Sequence, residues 1–312
     1  MKEAYGDIVT SRYINPYTDF GFKKLFGSPL NKDLLISFLN ALFDNKKDPI
    51  EDLTYISGEM LGRSPNDRRA IYDVSCKTKK GDTFIVEMQN NYQPYFKDRT
   101  LYYSSKTIVS QGETGDWDFN LTGVYVVAIQ NFVYRVPTLD ENGKLILKED
   151  FTGPVVHRVR LYDESTGKVF SDKLQFIYIE MPKFNKKVDE LDGTFDKWLY
   201  VLKNLATMNR PAELKDRIFK KLFREAEIAA YTPEEYAAYE ESLKVYRDNK
   251  NTSDYAVYEA EVNGIAKGFS KGRAEGELQA KLALARSMKA DNMPVEAIAK
   301  YTGLSLTEIN NL

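Results

Sequence analysis

Apolar positions near the start of the chain recur at helical spacing. In Tyr17-Thr-Asp19-Phe-Gly-Phe-Lys-Lys-Leu-Phe-Gly27, Phe22, Leu25 and Phe26 share one face, Thr18 or Asp19 is the expected cap, and Gly27 ends the turn. Ser28-Pro29 then restarts a helix carrying Leu34, Leu35, Phe38, Leu39 and Leu42, with proline at an allowed first position. After Pro49 the pattern becomes extended: Leu53, Tyr55 and Ile56 predict a strand, and Gly58 to Asp67 a loop. Two further runs are joined by the polar turn Lys79-Lys80-Gly81-Asp82. A two-residue period puts Phe84, Val86 and Met88 on one face of the second run and Ile85, Glu87 and Gln89 on the other. In the first run, Ile71, Asp73 and Ser75 form the matching polar-bearing face, and Ala70, Tyr72, Val74 and Cys76 the apolar one. Asp98 to Ser110 predicts a helix with Leu101, Tyr102, Ile108 and Val109 on its apolar side, and Leu121 to Gln130 a buried strand. This order, helix, three strands, helix, strand, predicts a mixed α/β sheet with helices on its faces.

Between Tyr134 and Phe184 strands and turns alternate, around Asp140 to Gly143, Val155 to Tyr162 and Leu174 to Pro182, and nothing has the form of a phosphate-cradling glycine loop. From Thr194 the pattern is helical. Trp198, Leu199, Leu202 and Leu205 form one core stripe, and Leu214, Ile218, Leu222 and Phe223 another. Arg210 to Arg224 holds the cations Arg210, Lys215, Arg217, Lys220, Lys221 and Arg224 against the acids Glu213 and Asp216. Such a run is usually a solvated helix face, with phosphate contact as its alternative. Gly264, Gly268, Gly272 and Gly276 recur every four residues. Each costs a helix interior about 1 kcal/mol relative to alanine, so the row implies close backbone approach to a partner or a weakly stable linker. Met293 to Gly303 and Leu304 to Asn310 predict two short helices across a glycine turn, with Ser305 capping the second. The pair resembles a helix-turn-helix. Its second helix carries Glu308 and no Arg or Lys, which favours packing or dimerisation over DNA readout.

Composition narrows the function classes. At 312 residues and 43% hydrophobic content there is ample core for one large domain and a smaller one. A net charge of −2 argues against a basic nucleic-acid coat while allowing a local basic groove. The single Cys76 excludes an internal disulfide and a cysteine zinc site, and the single His157 makes a hydrolytic triad improbable. No leader of basic and apolar segments precedes the first helix, and no run has transmembrane length, so a cytoplasmic protein is expected.

The chemistry then concentrates on Asp73 and Glu87. If their runs are paired strands, both acids meet at one end of a sheet among apolar neighbours. Burying a carboxylate unpaired costs several kcal/mol, so a metal, an arginine or a proton must compensate. A divalent cation held by both acids is one solution. A strand-end ion pair of Asp73 with Arg68 or Arg69 is the other.

Asn15-Pro-Tyr-Thr-Asp19-Phe-Gly-Phe-Lys-Lys-Leu-Phe-Gly27, Arg69-Ala-Ile-Tyr-Asp73-Val, Phe84-Ile-Val-Glu87-Met-Gln89, Arg99-Thr-Leu-Tyr-Tyr103 and Ile179-Glu-Met-Pro-Lys-Phe184, taken in order, resemble the Rpn-type, or PD-(D/E)XK nuclease family transposase, group of bacterial proteins. The resemblance runs through most of the chain and includes the helical tail. It implies a restriction-endonuclease-like mixed sheet flanked by helices, followed by an all-helical C-terminal region. It also implies hydrolysis of double-stranded DNA with magnesium, for which manganese can substitute, in recombination or a mobile element. Asp73, Glu87 and Gln89 match the catalytic positions, Gln89 standing where many nucleases of the superfamily carry lysine. Asp73 and Glu87 match metal-binding acids, and Asp19 an acid that sometimes completes the site. Arg68, Arg69, Lys77 and Arg99 are candidate phosphate contacts, with pairing of Arg69 to Asp73 or Arg99 to Asp98 as the structural alternative. The expected organisation is a nuclease core over 1–190, a helical region packing on it over 191–250, a Gly-punctuated helical linker over 251–282 and the helix-turn-helix-like end over 283–312. Self-association through the C-terminal helices is expected, and no membrane partner. The competing expectation is a weak or inactive DNA- or protein-binding relative whose acids are structural.

Overall fold

A computed structural model of the chain describes residues 11–44, 48–56, 59–60, 70–112, 116–141, 143–209 and 214–312. They fall into two units, one ending at Asp248 and one beginning at Asn249.

In the first unit, Thr18 caps α1 (Asp19–Phe22) by accepting the Gly21 amide at 3.0 Å, and the helix passes into a π-helical turn, Lys23–Gly27. A short turn at Pro29–Asn31 leads into α2 (Lys32–Phe43). Strands β1 (Leu53–Tyr55), β2 (Glu59–Met60), β3 (Ala70–Ile71), β4 (Val74–Thr78) and β5 (Thr83–Gln89) follow, then α3 (Phe96–Val109) and β6 (Val124–Gln130). An exposed hairpin of β7 (Arg135–Leu139) and β8 (Leu145–Glu149) precedes β9 (Val156–Asp163) and β10 (Lys168–Glu180). Helices α4 (Gly193–Asn204) and α5 (Arg217–Ala226) and the start of α6 (Pro233–Ala290) complete the unit.

The main sheet runs β1-β4-β5-β6-β10-β9. Its centre, β5, β6 and β10, is parallel, while β1/β4, β4/β5 and β9/β10 are antiparallel. The mixed sheet with flanking helices is therefore as expected. One face, bearing Val74, Cys76, Phe84, Val86, Val127, Ile129, Ile177 and Ile179, packs with α1, α2, α4, α5 and Tyr239 of α6 into the larger core. Trp198, Phe26, Phe38 and Phe219 form the aromatic contacts at its heart. The other face, bearing Ile85, Val126, Ala128, Phe176 and Tyr178, is covered by Phe96 of α3. The β4–β5 turn needs Gly81: its φ is +92°, and a Cβ there would meet the Thr122 methyl at 2.8 Å.

Three expectations fail here. Within the expected loop Gly58 to Asp67, Glu59–Met60 pairs with β3 as a strand, and the rest of that loop lies outside the described residues. Leu101, Tyr102 and Val109 of α3 face outward, Leu101 being 52% exposed, and the buried positions are Phe96, Thr100, Ser104 and Thr107. The small hydroxyl residues bury without penalty because each bonds a carbonyl of the preceding turn, Thr100 to Lys97 and Ser104 to Leu101 at 2.8 Å, and Thr107 to Tyr103 at 3.3 Å. Tyr72, expected beside Val74, instead packs on the opposite face with Ile85, because the chain bends at Tyr72–Asp73 between β3 and β4 and the alternation restarts.

In the second unit, the glycine row lies inside α6, and no atom lies within 4 Å of where a Cβ would sit on Gly264, Gly268, Gly272 or Gly276. Tyr255, Tyr258, Val262, Ile265 and Phe269, at alternating three- and four-residue spacing, are all exposed. Helices α7 (Val295–Thr302) and α8 (Leu306–Asn310) close a small core of Ala285, Ile298, Leu304 and Ile309. Ser305 caps α8 in a reciprocal box with Glu308. Among the described residues no helix is long and apolar enough to cross a membrane.

The α3 packing predicts a contrast in urea unfolding. Phe96→Ala should cost about 3–5 kcal/mol and Leu101→Ala less than about 0.5 kcal/mol. Equal losses would mean that the apolar side is buried after all.

Candidate active site

The site is built where β4 and β5 stop pairing. Their register sets Val74 opposite Val86, so Asp73, one residue earlier, comes to the place opposite Glu87. The Asp73 carboxylate takes over the pairing role by accepting the Met88 amide at 2.8 Å. Glu87 is only 5% exposed and lies beside Ala128 on β6, which in turn neighbours Tyr178 on β10. Gln89 lies in the next row, beside Gln130 and then Glu180.

The hydroxyl face of α3 brings the helix close to this edge. Thr100 bonds the Tyr178 hydroxyl at 2.7 Å and Thr107 that of Tyr72 at 3.2 Å. Arg99 is thereby placed with one guanidinium nitrogen 3.2 Å from Glu87 Oε2 and 2.8 Å from Gln89 Oε1, and the other 2.7 Å from Gln93 Oε1. Its guanidinium lies 4.9 Å from the centre of the Phe96 ring. Arg99 thus pairs with Glu87 and not with Asp98, since successive helical residues point about 100° apart.

Burial pushes the Glu87 carboxyl up to about 7; the neighbouring Arg99 charge pulls it down and Asp73 pushes it further up. Asp73 is likewise raised, chiefly by burial and also by Asp19, against the Met88 amide, Lys23 and Arg99. The two acids therefore share one electrostatic field, and their cationic compensation is incomplete.

Asp19 belongs to that field from the first turn of α1, but its side chain is 64% exposed and pairs with Lys23 at 2.8 Å. Gly21 permits this tight turn, since a Cβ there would lie 2.2 Å from the Asn15 carbonyl oxygen. Lys77 is exposed at the far end of β4, opposite Thr83 and about 13 Å along the strand from Asp73, and is not gathered into the site. Arg68 and Arg69 lie outside the described residues. Among the described residues no three His, Cys, Asp or Glu side chains converge to hold a metal. The Asp73–Glu87 pair nonetheless offers hard oxygen donors with an unmet need for positive charge, which fits a magnesium-like ion sharing its coordination with water.

Sequence reasoning missed two features. The Thr100, Ser104 and Thr107 spacing is a legible hydroxyl stripe. The second is a cluster around the buried Glu180 at the same end of the parallel strands: Glu180 accepts from His157 Nε2 at 2.5 Å, Lys183 Nζ at 3.0 Å and the Tyr134 amide at 2.7 Å. It fixes the end of β10 against β9 and the start of the β7 hairpin.

The family model described as PD-(D/E)XK nuclease family transposase matches residues 16–256, which include the whole site. The chain belongs to that family. No curated protein and no solved structure matches it.

The raised Glu87 carboxyl has a stability consequence. The folded state holds a proton that the unfolded state releases near the ordinary glutamate value, so in metal-free buffer this group's contribution is intact below about pH 4.5 and declines as pH rises to about 7. The stability of Glu87→Gln relative to the parent should therefore climb over that interval and level off above it, in melting curves taken across pH. A flat difference would show Glu87 to be solvated.

Proposed function

We propose that this member of the PD-(D/E)XK nuclease family transposases is a divalent-metal-dependent DNA endonuclease acting at the Asp73–Glu87 pair. The observation that carries this reading is the burial of Glu87 opposite a second carboxylate, with Arg99 as the only cation bonded to it among the described residues. Asp73 and Glu87 would hold magnesium or manganese, and Asp19 stands near enough in charge to influence Asp73 from outside that pair. Such an ion, when bound, supplies Lewis acidity toward a phosphate oxygen and acidifies water.

The chain's own groups divide the remaining work. Gln89 has no titratable group; its amide nitrogen, now on the Asn91 carbonyl at 2.9 Å, orients water or a phosphate oxygen. The positive charge that a lysine at this position would bring arrives instead from α3, because Arg99 bonds the Gln89 side chain directly. Arg99 is thus a positioning residue for Glu87 and Gln89 that also faces incoming phosphate charge. Arg68 and Arg69, just ahead of Asp73 in sequence, are the further proposed phosphate contacts; Lys77 sits too far along β4 to touch the same phosphate.

The exposed α6 seam at Tyr255, Tyr258, Val262, Ile265 and Phe269 has the three-four spacing of a coiled-coil seam and supports self-association through the C-terminal unit. Light scattering should show an oligomer that Ile265→Glu with Phe269→Glu converts to monomer. A monomeric parent would refute it.

Supercoiled plasmid with magnesium or manganese tests the reaction. The parent should nick or linearise it, and Asp73→Asn and Glu87→Gln should each lose more than the roughly 10–100-fold that outer partners of a metal site cost. The same cations should raise the parent Tm at about pH 8, where Glu87 is ionised, and leave both variants unmoved. Intact plasmid with every protein, and no Tm shift, would leave the acids a structural pair, as in an inactive relative.

A further inference from the structure

The outward side of α3 carries more than scattered apolar residues. Tyr95, Arg99, Tyr102 and Lys106 follow one another at four-, three- and four-residue steps, so they form one stripe along the helix. Arg99 anchors the middle of that stripe to the site, through Glu87 and Gln89. The two tyrosines on either side are solvent-facing, Tyr95 at 76% and Tyr102 at 44% exposure. Lys106 lies over one face of the Tyr102 ring at 5.0 Å. Solvent-facing aromatic rings alternating with cations, beside paired acids, match the chemistry of a strand whose bases are unstacked: the uncovered ring faces take bases and the cations take phosphates. A closed duplex hides its base faces within its own stack and offers these rings only backbone.

We propose that the Tyr95–Tyr102 stripe of α3 is a stacking platform for unpaired DNA bases, so that the acids receive a single-stranded, frayed or flapped segment. This rests on the nuclease reading for what happens to the strand, and not for its binding. Asp98, three residues after Tyr95 and four before Tyr102, borders both tyrosines on the side of the stripe away from Arg99, so a bound strand would run its phosphates on the Arg99 and Lys106 side.

The test is fluorescence anisotropy in EDTA, where no cleavage occurs, on the full chain. Probes are a labelled mixed-sequence single strand and the blunt duplex made from it. The parent should bind the single strand at least about 10-fold more tightly than the duplex, and Tyr95→Ala with Tyr102→Ala should lose on the order of 10- to 100-fold for the single strand with little change for the duplex. Tyr95→Phe with Tyr102→Phe keeps the rings and should bind within about threefold of the parent, which separates stacking from any loss of hydroxyl contacts. Unchanged melting curves confirm that the exposed substitutions leave the fold intact. Equal losses on both probes, failure of the phenylalanine pair, or no preference for the single strand would each overturn the proposal. If the tyrosines govern single-strand binding while both plasmid and the labelled single strand stay uncut with either metal, the nuclease reading fails and the platform stands.

Discussion

A carboxylate with almost no solvent, set against a second carboxylate, is the constraint around which this molecule is arranged. Glu87 lies two residues before the end of β5, an inner strand of a sheet whose two faces are both covered, so water cannot reach it freely. Leaving such a charge unpartnered costs several kcal/mol. Arg99 supplies part of the compensation, and it reaches Glu87 only because α3 sits close to the sheet. That closeness needs small side chains, and the small side chains chosen are hydroxyls. Thr100 and Thr107 serve twice, satisfying themselves on the helix and tying Tyr178 and Tyr72 on the sheet. An alanine face would pack as closely without those ties, and a leucine face would push Arg99 away.

The opposite side of the site is held by contacts distant in sequence. Asp19 takes its place from a segment that is pinned at both ends: Asn90, after β5, donates to the Tyr17 carbonyl at 2.7 Å, and Tyr239 of α6 accepts the Asn15 amide at 3.0 Å. Ser242 accepts the Phe20 amide, and Lys24 pairs with Glu235 at 2.5 Å. The first helix is too short to be stable alone, since nucleation of isolated helices is unfavourable. Its position, and with it the third acid's share of the field, depends on α6 residues more than two hundred positions later.

The parts of this arrangement that were legible in the sequence are those written in local periodicity. The β4 and β5 runs alternate with period two around Gly81, so the meeting of Asp73 and Glu87 was legible on the condition that the runs pair, which their register meets. Ser305 with Glu308 is a capping signature read without tertiary knowledge. The face of α3 was misread because Leu and Tyr were counted as apolar and Thr and Ser as polar, whereas a hydroxyl bonded to its own helix buries readily. Tyr72 was misplaced because one bend resets the alternation and nothing in a strand pattern marks a bend. The partner of Arg99 and the Glu180–His157–Lys183 cluster depend on which strands and helices become neighbours. His157 meets the β10 end through the β9/β10 register, information that no window of sequence contains.

The cation that reaches Gln89 comes from a helix and not from its own strand: Arg99 donates to its side-chain oxygen at 2.8 Å. A lysine on β5 would be a mobile point charge with a titratable amine. Arg99 is a planar fork bonded to Gln89, Glu87 and Gln93 together. A cation fixed in this way can stabilise negative charge, but it can neither take nor give a proton. Even with Arg99 bonded to it, burial leaves the Glu87 carboxyl raised to about 7 in the metal-free chain. Because the positive charge is carried by α3, the placement of that helix, including its hydroxyl face, decides where the guanidinium meets Glu87 and Gln89.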